Sequence, residues 1–414
     1  MHDIIIIGAG AAGIAAARTL HAHNIGYRLI EATDRVGGRA HTDTISFATP
    51  VDLGCYWFHS PQRNPLVGFA DRFGHRYLGA AQDSRYTRGA CLLNAGESQA
   101  CAEYIQERFQ AIRRHAALHG DVSPVDLVPS GGEWERYLAA TLVAKMGVPL
   151  EAISIQDFAD YVWEGEDLPV LDGLGNLIAK LAQGISVSWR IPAQSIDWGQ
   201  PAKVRVMTPA GTLEARAVIV TVSVGVLVAD AIAFDPPLPD WKRSAIHGLT
   251  MGSCNKIVCA FDENIFGDCK NTLLVPDRGA EESVEIVVRP DDKNLVHCLF
   301  NGPLSRTLVR DGAAAMRAYA LDRLAEVFGG DVQRHVQDAM IVADWDADPW
   351  VRGCYSAVKR GQSSARRELA RPVENRLFSA GEATSREFAG DVHGAYLSGV
   401  AASEDAIRVL ESRR

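Results

Sequence analysis

Asp3-Ile-Ile-Ile-Ile-Gly8-Ala-Gly10-Ala-Ala12-Gly13 stands at the start of the chain, and Tyr27-Arg-Leu-Ile-Glu31-Ala32 and Gly37-Gly38-Arg39-Ala-His-Thr42 follow it closely. The isoleucine run has the pattern of a central strand in a parallel sheet, apolar because both faces are covered. Gly8, Gly10 and Gly13 let the chain turn sharply and bring backbone N–H groups against a pyrophosphate. Ala15 to Leu20 continues as a helix whose positive end faces that anion. A second strand, Tyr27 to Ile30, delivers Glu31, whose carboxylate can accept hydrogen bonds from both hydroxyls of an adenosine ribose. A Gly-rich turn alone is weak evidence. Strand, turn, helix, strand and acidic residue in that order point to a bound dinucleotide.

A chain of 414 residues is too long for one simple core, so two domains are expected. Hydrophobic content of 47% with 22% charged residues describes a globular protein. The net charge of -9, with no basic run, argues against nucleic acid as a partner. Met1 and His2 leave no room for a signal peptide before the first strand, and no apolar run approaches the length of a membrane span. The eight cysteines are scattered, without a Cys-x-x-Cys pair, as expected for free thiols in a reducing cytoplasm rather than structural zinc.

The chain does not divide once. Strand-like runs at Val204 to Val206 and Ala217 to Val222 flank a turn at Pro209-Ala-Gly211 and resemble the nucleotide-type segments. Leu177 to Leu181 reads as a short helix and Ile185 to Val187 as a strand. Glu97 to His119 and Gly132 to Met146 read as helices, with few strand-like runs around them. Further on, Lys256 to Phe261, Val284 to Val288, Leu295 to Phe300 and Met340 to Trp345 read as strands around one helix, Ala313 to Phe328. The expected fold is α/β: a Rossmann-type dinucleotide domain from residues 1–80, 184–250 and 351–414, interleaved with an α+β substrate domain from 81–183 and 251–350.

Several further motifs resemble the flavin-containing amine oxidase family, which includes monoamine oxidases, polyamine oxidases and the lysine-specific histone demethylase. Gly37-Gly38-Arg39 matches the family's second nucleotide motif, and Asp52-Leu-Gly54-Cys55-Tyr56-Trp57-Phe-His59 the segment beneath the flavin. Asn255-Lys256 looks like the segment with the flavin-facing lysine, and Trp345 through Gly353-Cys354-Tyr355 resembles the active-site strand. Gly381-Glu382 through Asp391-Val392-His393-Gly394 matches the closing flavin motif. The resemblance implies FAD as cofactor, bound through Gly8, Gly10, Ala12, Gly13, Glu31, Ala32, Arg39, Gly54, Cys55, Tyr56, Trp57, Ala193, Cys354, Gly381, Glu382, Asp391 and Val392. It places Arg39 at the phosphates, Glu382 at the ribityl chain and the backbone around Val392 at the isoalloxazine. Lys256, Tyr355, Trp345 and Asp391 are the implied catalytic positions, with Lys256 holding a water at flavin N5 and Tyr355 forming an aromatic wall.

The implied reaction is oxidation of a primary or secondary amine to an imine, with O2 reduced to H2O2 and the imine hydrolysed. Such chemistry needs an electron sink that no side chain provides. The amine must also be neutral, and holding an amine of pKa about 10 neutral at pH 7 costs about 4 kcal/mol unless the pocket lowers its pKa.

Some positions admit a plainer role. Asp391 stands where relatives often place a second aromatic wall, and a carboxylate beside the reacting nitrogen favours ammonium. It is therefore expected to bind a distant cationic or hydroxyl group, or to point toward a structural partner. Cys354 sits where monoamine oxidases attach the flavin through a thioether, so covalent and non-covalent FAD both stay open, with a small buried thiol as the plain reading. A lysine on a strand usually faces water, and a tryptophan is usually core, but Asn255 and the matched motifs favour flavin-facing roles for Lys256 and Trp345. His59 and His393 are expected to be packed and hydrogen-bonded rather than general bases.

The alternatives are an L-amino-acid oxidase, for which Trp57 replaces the arginine expected against a carboxylate, and a flavin desaturase or porphyrinogen-type oxidase, which generally lacks the Asn255-Lys256 and Trp345 to Tyr355 motifs. A non-catalytic Rab GDP-dissociation inhibitor fold disagrees with the intact Glu31, Arg39 and Glu382. A histone substrate is not expected without a helical tower insertion. Assembly as a homodimer stays open.

Overall fold

In the computed structural model, which describes residues 2–128 and 131–412, the Ile4 to Ile7 run lies at the centre of an eight-stranded sheet with each isoleucine almost completely buried. The strand His2–Ile7 pairs in parallel with Tyr27–Ile30 on one side and with Gly211–Val220 on the other. Val187–Ser188 extends the sheet beyond Tyr27–Ile30. Leu377–Ser379 joins Gly211–Val220 in parallel, so strands from both ends of the chain share this sheet. Val204–Thr208, Ser195–Asp197 and Ala233–Asp235 complete it.

Two helices cover the face that bears the dinucleotide turn. Ala11–Ala22 is rich in alanine, and the C-terminal helix Val392–Ser412 packs directly against it. Their approach depends on Gly399, where a Cβ would come within 2.1 Å of the Ala12 carbonyl oxygen.

A second, seven-stranded sheet runs in the order Val336–Ala343, Cys254–Phe261, Leu295–Asn301, Val284–Val288, Thr272–Pro276, Asp83–Arg88 and Cys91–Leu92. Alternation along its strands gives it two different faces. Ile257, Cys259, Ile286 and Val288 pack on the helices Gly302–Asp311 and Ala313–Phe328. Val258 and Ala260 join Val51, Leu53 and Trp345, while Val287 and Leu299 pack with Tyr56, so this face looks toward the dinucleotide sheet.

Most expected elements form within a few residues of their expected bounds. The helix expected from Gly132 begins at Glu135, and the strand expected at Met340 to Trp345 is Val336–Ala343. Three elements differ in kind. The strand Asp83–Arg88 lies in the stretch read as mainly helical, Thr272–Pro276 is an additional strand, and Gly302–Asp311 is a second helix where one was expected. No helix among the described residues is long and apolar enough to cross a membrane.

Candidate active site

The two sheets enclose a continuous cavity of about 560 Å³ that runs from Glu31 to Tyr355 and Asp391. Every expected site residue except Gly13 lines it. Gly13 lies behind the turn, where a Cβ would come within 1.8 Å of the Gly8 carbonyl oxygen. Its contribution is close packing of helix against strand. Gly8 has a φ of +102°, and a Cβ at Gly10 would meet only the Gly37 oxygen, at 3.9 Å. The space in front of Gly10 therefore belongs to the cavity, which suits a pyrophosphate at a helix N-terminus.

Glu31 is already well engaged by the protein. Its Oε2 accepts from Ala9 N at 2.7 Å, and its Oε1 accepts from Thr33 N at 2.8 Å and from Thr33 Oγ1 at 2.9 Å. These bonds hold the carboxylate at the strand end with lone pairs left for a ribose. Arg39 bridges two distant motifs, donating to the Cys354 carbonyl at 2.7 Å and to Glu382 Oε1 at 2.9 Å. Glu382 also accepts from Ser356 Oγ at 2.6 Å and from Gly390 N at 3.0 Å. Burial opposes its charge, but Arg39, Arg366 and Ser356 outweigh burial and hold its pKa below the usual range.

Lys256 faces the cavity and is 4% exposed. Its Nζ donates to the carbonyls of Asp52 at 2.7 Å and Gly54 at 3.1 Å, which leaves one N–H uncommitted. Burial lowers its pKa, with Asp52 opposing. Asn255 lies on the opposite face of the same strand and fixes the neighbouring strand's exit. Its Oδ1 accepts from Trp345 N at 2.7 Å, while Trp345 Nε1 donates to the Leu53 carbonyl at 3.2 Å. Trp345 thus presses against Gly54, where a Cβ would lie 3.3 Å from the indole. Tyr355 hydroxyl donates to the Ala144 carbonyl, and Trp57 Nε1 donates to Gln82 Oε1 at 2.8 Å.

The end of the cavity near Tyr355 is acidic. Asp167, Glu166, Glu285 and Asp391 line it against Lys145 and His59. Asp391 is 9% exposed, and its Oδ2 accepts a hydrogen bond from the Tyr161 hydroxyl. The expected structural partner exists, yet the carboxylate also lines the cavity. Burial raises its pKa to about 6, against the opposing pull of His59. His59 forms an ion pair with Asp167 at 2.8 Å. Burial would lower the imidazole's pKa, but Asp167 and Asp391 raise it to about 9. His393 departs from expectation: both ring nitrogens are buried without a hydrogen bond, and burial lowers its pKa to about 3.

Four residues of the site were not anticipated. Arg366 makes a fully buried ion pair with Asp157 and donates to Ser356 Oγ at 2.7 Å, bracing the serine that holds Glu382. Its sequence context, Arg366-Arg367-Glu368, reads as a solvated helix face. Tyr161 and Asp167 lie in a connection with no periodic pattern. Glu285 does carry a signal, since it is the one charge inside Val284-Glu-Ile-Val-Val288.

The family model described as "Flavin containing amine oxidoreductase" matches residues 134–407, and one for an "NAD(P)-binding Rossmann-like domain" matches residues 6–73. This chain belongs to the flavin-containing amine oxidoreductases. It is 30% identical to polyamine oxidase 4 of Oryza sativa subsp. japonica, over 97% of this chain and 88% of that protein. It is 29% identical to probable polyamine oxidase 4 of Arabidopsis thaliana, over 99% of this chain and 88% of that protein. Human lysine-specific histone demethylase 2 is 28% identical over 96% of this chain, which spans 52% of that protein. In fold, cyclohexylamine oxidase from Brevibacterium oxydans superimposes with a TM-score of 0.83 at 19% identity, each chain covered to 99%. A putrescine oxidase variant superimposes with a TM-score of 0.82 at 21% identity, again over 99% of each chain. The protein is an FAD-dependent amine-oxidising enzyme, and neither the amino-acid oxidase nor the desaturase alternative is favoured.

Proposed function

We propose that the substrate is a di- or polyamine, carrying a second ammonium besides the nitrogen that is oxidised. The observation that carries this reading is Glu285. Its side chain lines the cavity with no hydrogen bond or ion pair among the described residues, and burial raises its pKa. Leu299 pairs with both Lys256 and Glu285, so the three share one cross-strand row and one face. Strand spacing then puts Glu285 about 10 Å from Lys256 along the sheet. Glu285 is half-buried, and Lys145 and His59 pull on it without forming an ion pair, so its carboxylate is poorly compensated and an alkylammonium reaching it would relieve that cost. The plant relatives named polyamine oxidases, and the putrescine oxidase of the same fold, agree with this class.

FAD, when bound, accepts the two electrons of the C–H bond and passes them to O2. We assign the protein's part as follows. Gly8 and Gly10 seat the pyrophosphate, Glu31 takes the ribose, and Arg39 and Glu382 hold the chain between the two ring systems. Tyr355 and Trp345 exclude water, and Lys256 holds one water through its uncommitted N–H. In this reading the cofactor binds without a covalent bond: Cys354 lines the cavity half-buried beside Cys254, and desolvation and that neighbour raise its pKa, which favours the neutral thiol. Residues 1–80, 184–250 and 351–414 form the FAD-binding unit in this reading, with 81–183 and 251–350 over the substrate. Eight unpaired cysteines suit a cytoplasmic location.

The test compares kcat/KM for putrescine, spermidine and butylamine in the wild type and Glu285→Gln. The expected outcome is a preference for the diamines of roughly 10- to 100-fold that the variant loses, with butylamine little changed. Equal losses on all three amines would remove Glu285 from substrate recognition.

A further inference from the structure

Amine oxidation raises a proton problem that the site must solve, since the substrate arrives as ammonium and reacts as the free amine. Five titratable side chains in or beside the cavity could take that proton: Lys256, His59, His393, Glu285 and Asp391. Lys256 has two N–H bonds committed to buried carbonyls and is a donor there. His59 is held as the imidazolium by Asp167, with its pKa raised to about 9, so it has no free nitrogen near neutrality. His393 is neutral but too weak a base, with a pKa lowered to about 3. Glu285 stands two strands away from Lys256.

Asp391 remains. It lines the cavity and follows Gly390, where a Cβ would lie 3.5 Å from the Cβ of Tyr355, so the carboxylate shares a wall with that aromatic ring. Tyr161 hydroxyl donates to Oδ2, whereas Oδ1 receives no hydrogen bond among the described residues. The nearest cation, His59 Nε2, is 4.0 Å from Oδ1. The carboxylate is therefore oriented through one oxygen and available through the other.

We propose that Asp391 accepts the ammonium proton of the incoming amine, with Tyr161 and the His59–Asp167 pair as positioning residues. The step breaks one N–H bond of the ammonium and forms an O–H bond on Oδ1. Ammonium and carboxylate become amine and carboxylic acid, with no change in total charge. The neutral amine is then the form from which FAD, when bound, would take two electrons. Asp391 returns its proton to water once the product has gone. The expectation that a carboxylate would hold the ammonium charged applies to a solvated pair. Burial raises the acid's pKa and lowers the amine's, and both effects favour the neutral pair. The charged and titratable groups around Asp391 are His59, Asp167, Tyr161, Lys145 and His393.

The proposal rests on amine oxidation, which anaerobic bleaching of the wild-type flavin by the same amines tests separately. The deciding measurement is the rate of anaerobic flavin reduction in Asp391→Asn, with an ordinary alkylamine and with a β-fluorinated analogue already largely neutral at pH 7. The expected result is a loss of roughly 10²- to 10³-fold for the ordinary amine at pH 7. That loss should shrink as pH rises toward 10, and the fluorinated amine should slow less than about fivefold. A second variant, Tyr161→Phe, removes a hydrogen bond to the charged carboxylate, so the acid limb of kcat/KM should move to higher pH. Equal losses on both amines, unchanged between pH 7 and 10, would overturn the proposal, and so would an unmoved acid limb in Tyr161→Phe.

Discussion

Arg366 and Asp157 meet as a two-pronged ion pair, with Nε to Oδ1 at 2.7 Å and Nη2 to Oδ2 at 2.8 Å, and each side chain is only 3% exposed. The guanidinium also holds Ser356, which in turn holds Glu382, which holds Arg39. Five residues from four distant parts of the chain are thereby locked in series around the cavity.

Removing one member of a buried pair leaves an uncompensated charge, so Asp157→Asn should destabilise the protein by about 3–5 kcal/mol in denaturant unfolding. The double variant Asp157→Leu with Arg366→Met should lose less than the single one, because no buried charge is then left alone. Both should weaken FAD retention, read by flavin fluorescence after dilution, since Ser356 and Glu382 lose their brace.

Gly13→Ala tests the dinucleotide turn. A Cβ there would overlap the Gly8 carbonyl at 1.8 Å, a backbone atom that cannot swing aside. The helix must move off the strand, and overpacking of this kind costs about 1–3 kcal/mol. The expected outcome is a protein purified with substoichiometric flavin. Gly10→Ala, whose Cβ would enter only the cavity, should fold normally and lose FAD affinity alone.

A thiolate is the nucleophile in thioether formation, and burial keeps Cys354 as a thiol. Acid precipitation should leave the yellow colour in the supernatant, and Cys354→Ser should hold FAD as the wild type does. Colour retained in the pellet would mean a covalent bond.

Much of this was legible in the sequence for definite reasons. The strand His2–Ile7 announces itself because a central parallel strand must be apolar on both faces, and Val284–Val288 and Leu295–Asn301, though antiparallel, are readable as short runs rich in apolar residues. Asp83–Arg88 was not, because Asp-Ser-Arg-Tyr-Thr-Arg lies near the sheet edge with only Tyr86 and Thr87 buried. The cavity-lining residues that match the flavin motifs were readable because those motifs keep their spacing. Arg366, Asp157, Tyr161 and Asp167 could not be found that way, because each acquires its role from a partner made adjacent only by folding. Asp391 shows the limit most plainly: its position was legible, but its partners Tyr161 and His59 were not.

That same residue gives a stability prediction with a definite sign. Burial raises the folded-state pKa of Asp391 to about 6, above the 3.8 of an ordinary aspartate. Between those values the folded protein holds more protons than the unfolded chain, so this group's contribution falls as pH rises through the window. Below pH 4 it costs nothing, and above pH 6 the full cost of a buried carboxylate is present. Asp391→Asn has no such charge and can still accept from Tyr161. It should therefore match the wild type near pH 4 and exceed it by about 1–3 kcal/mol at pH 8, a gain of roughly 1–4 °C in Tm. The variant that is slower at pH 7 should thus be the more stable one at pH 8, as expected when a destabilised group is retained for its chemistry. A loss of stability at both pH values would instead make Asp391 a structural anchor for Tyr161.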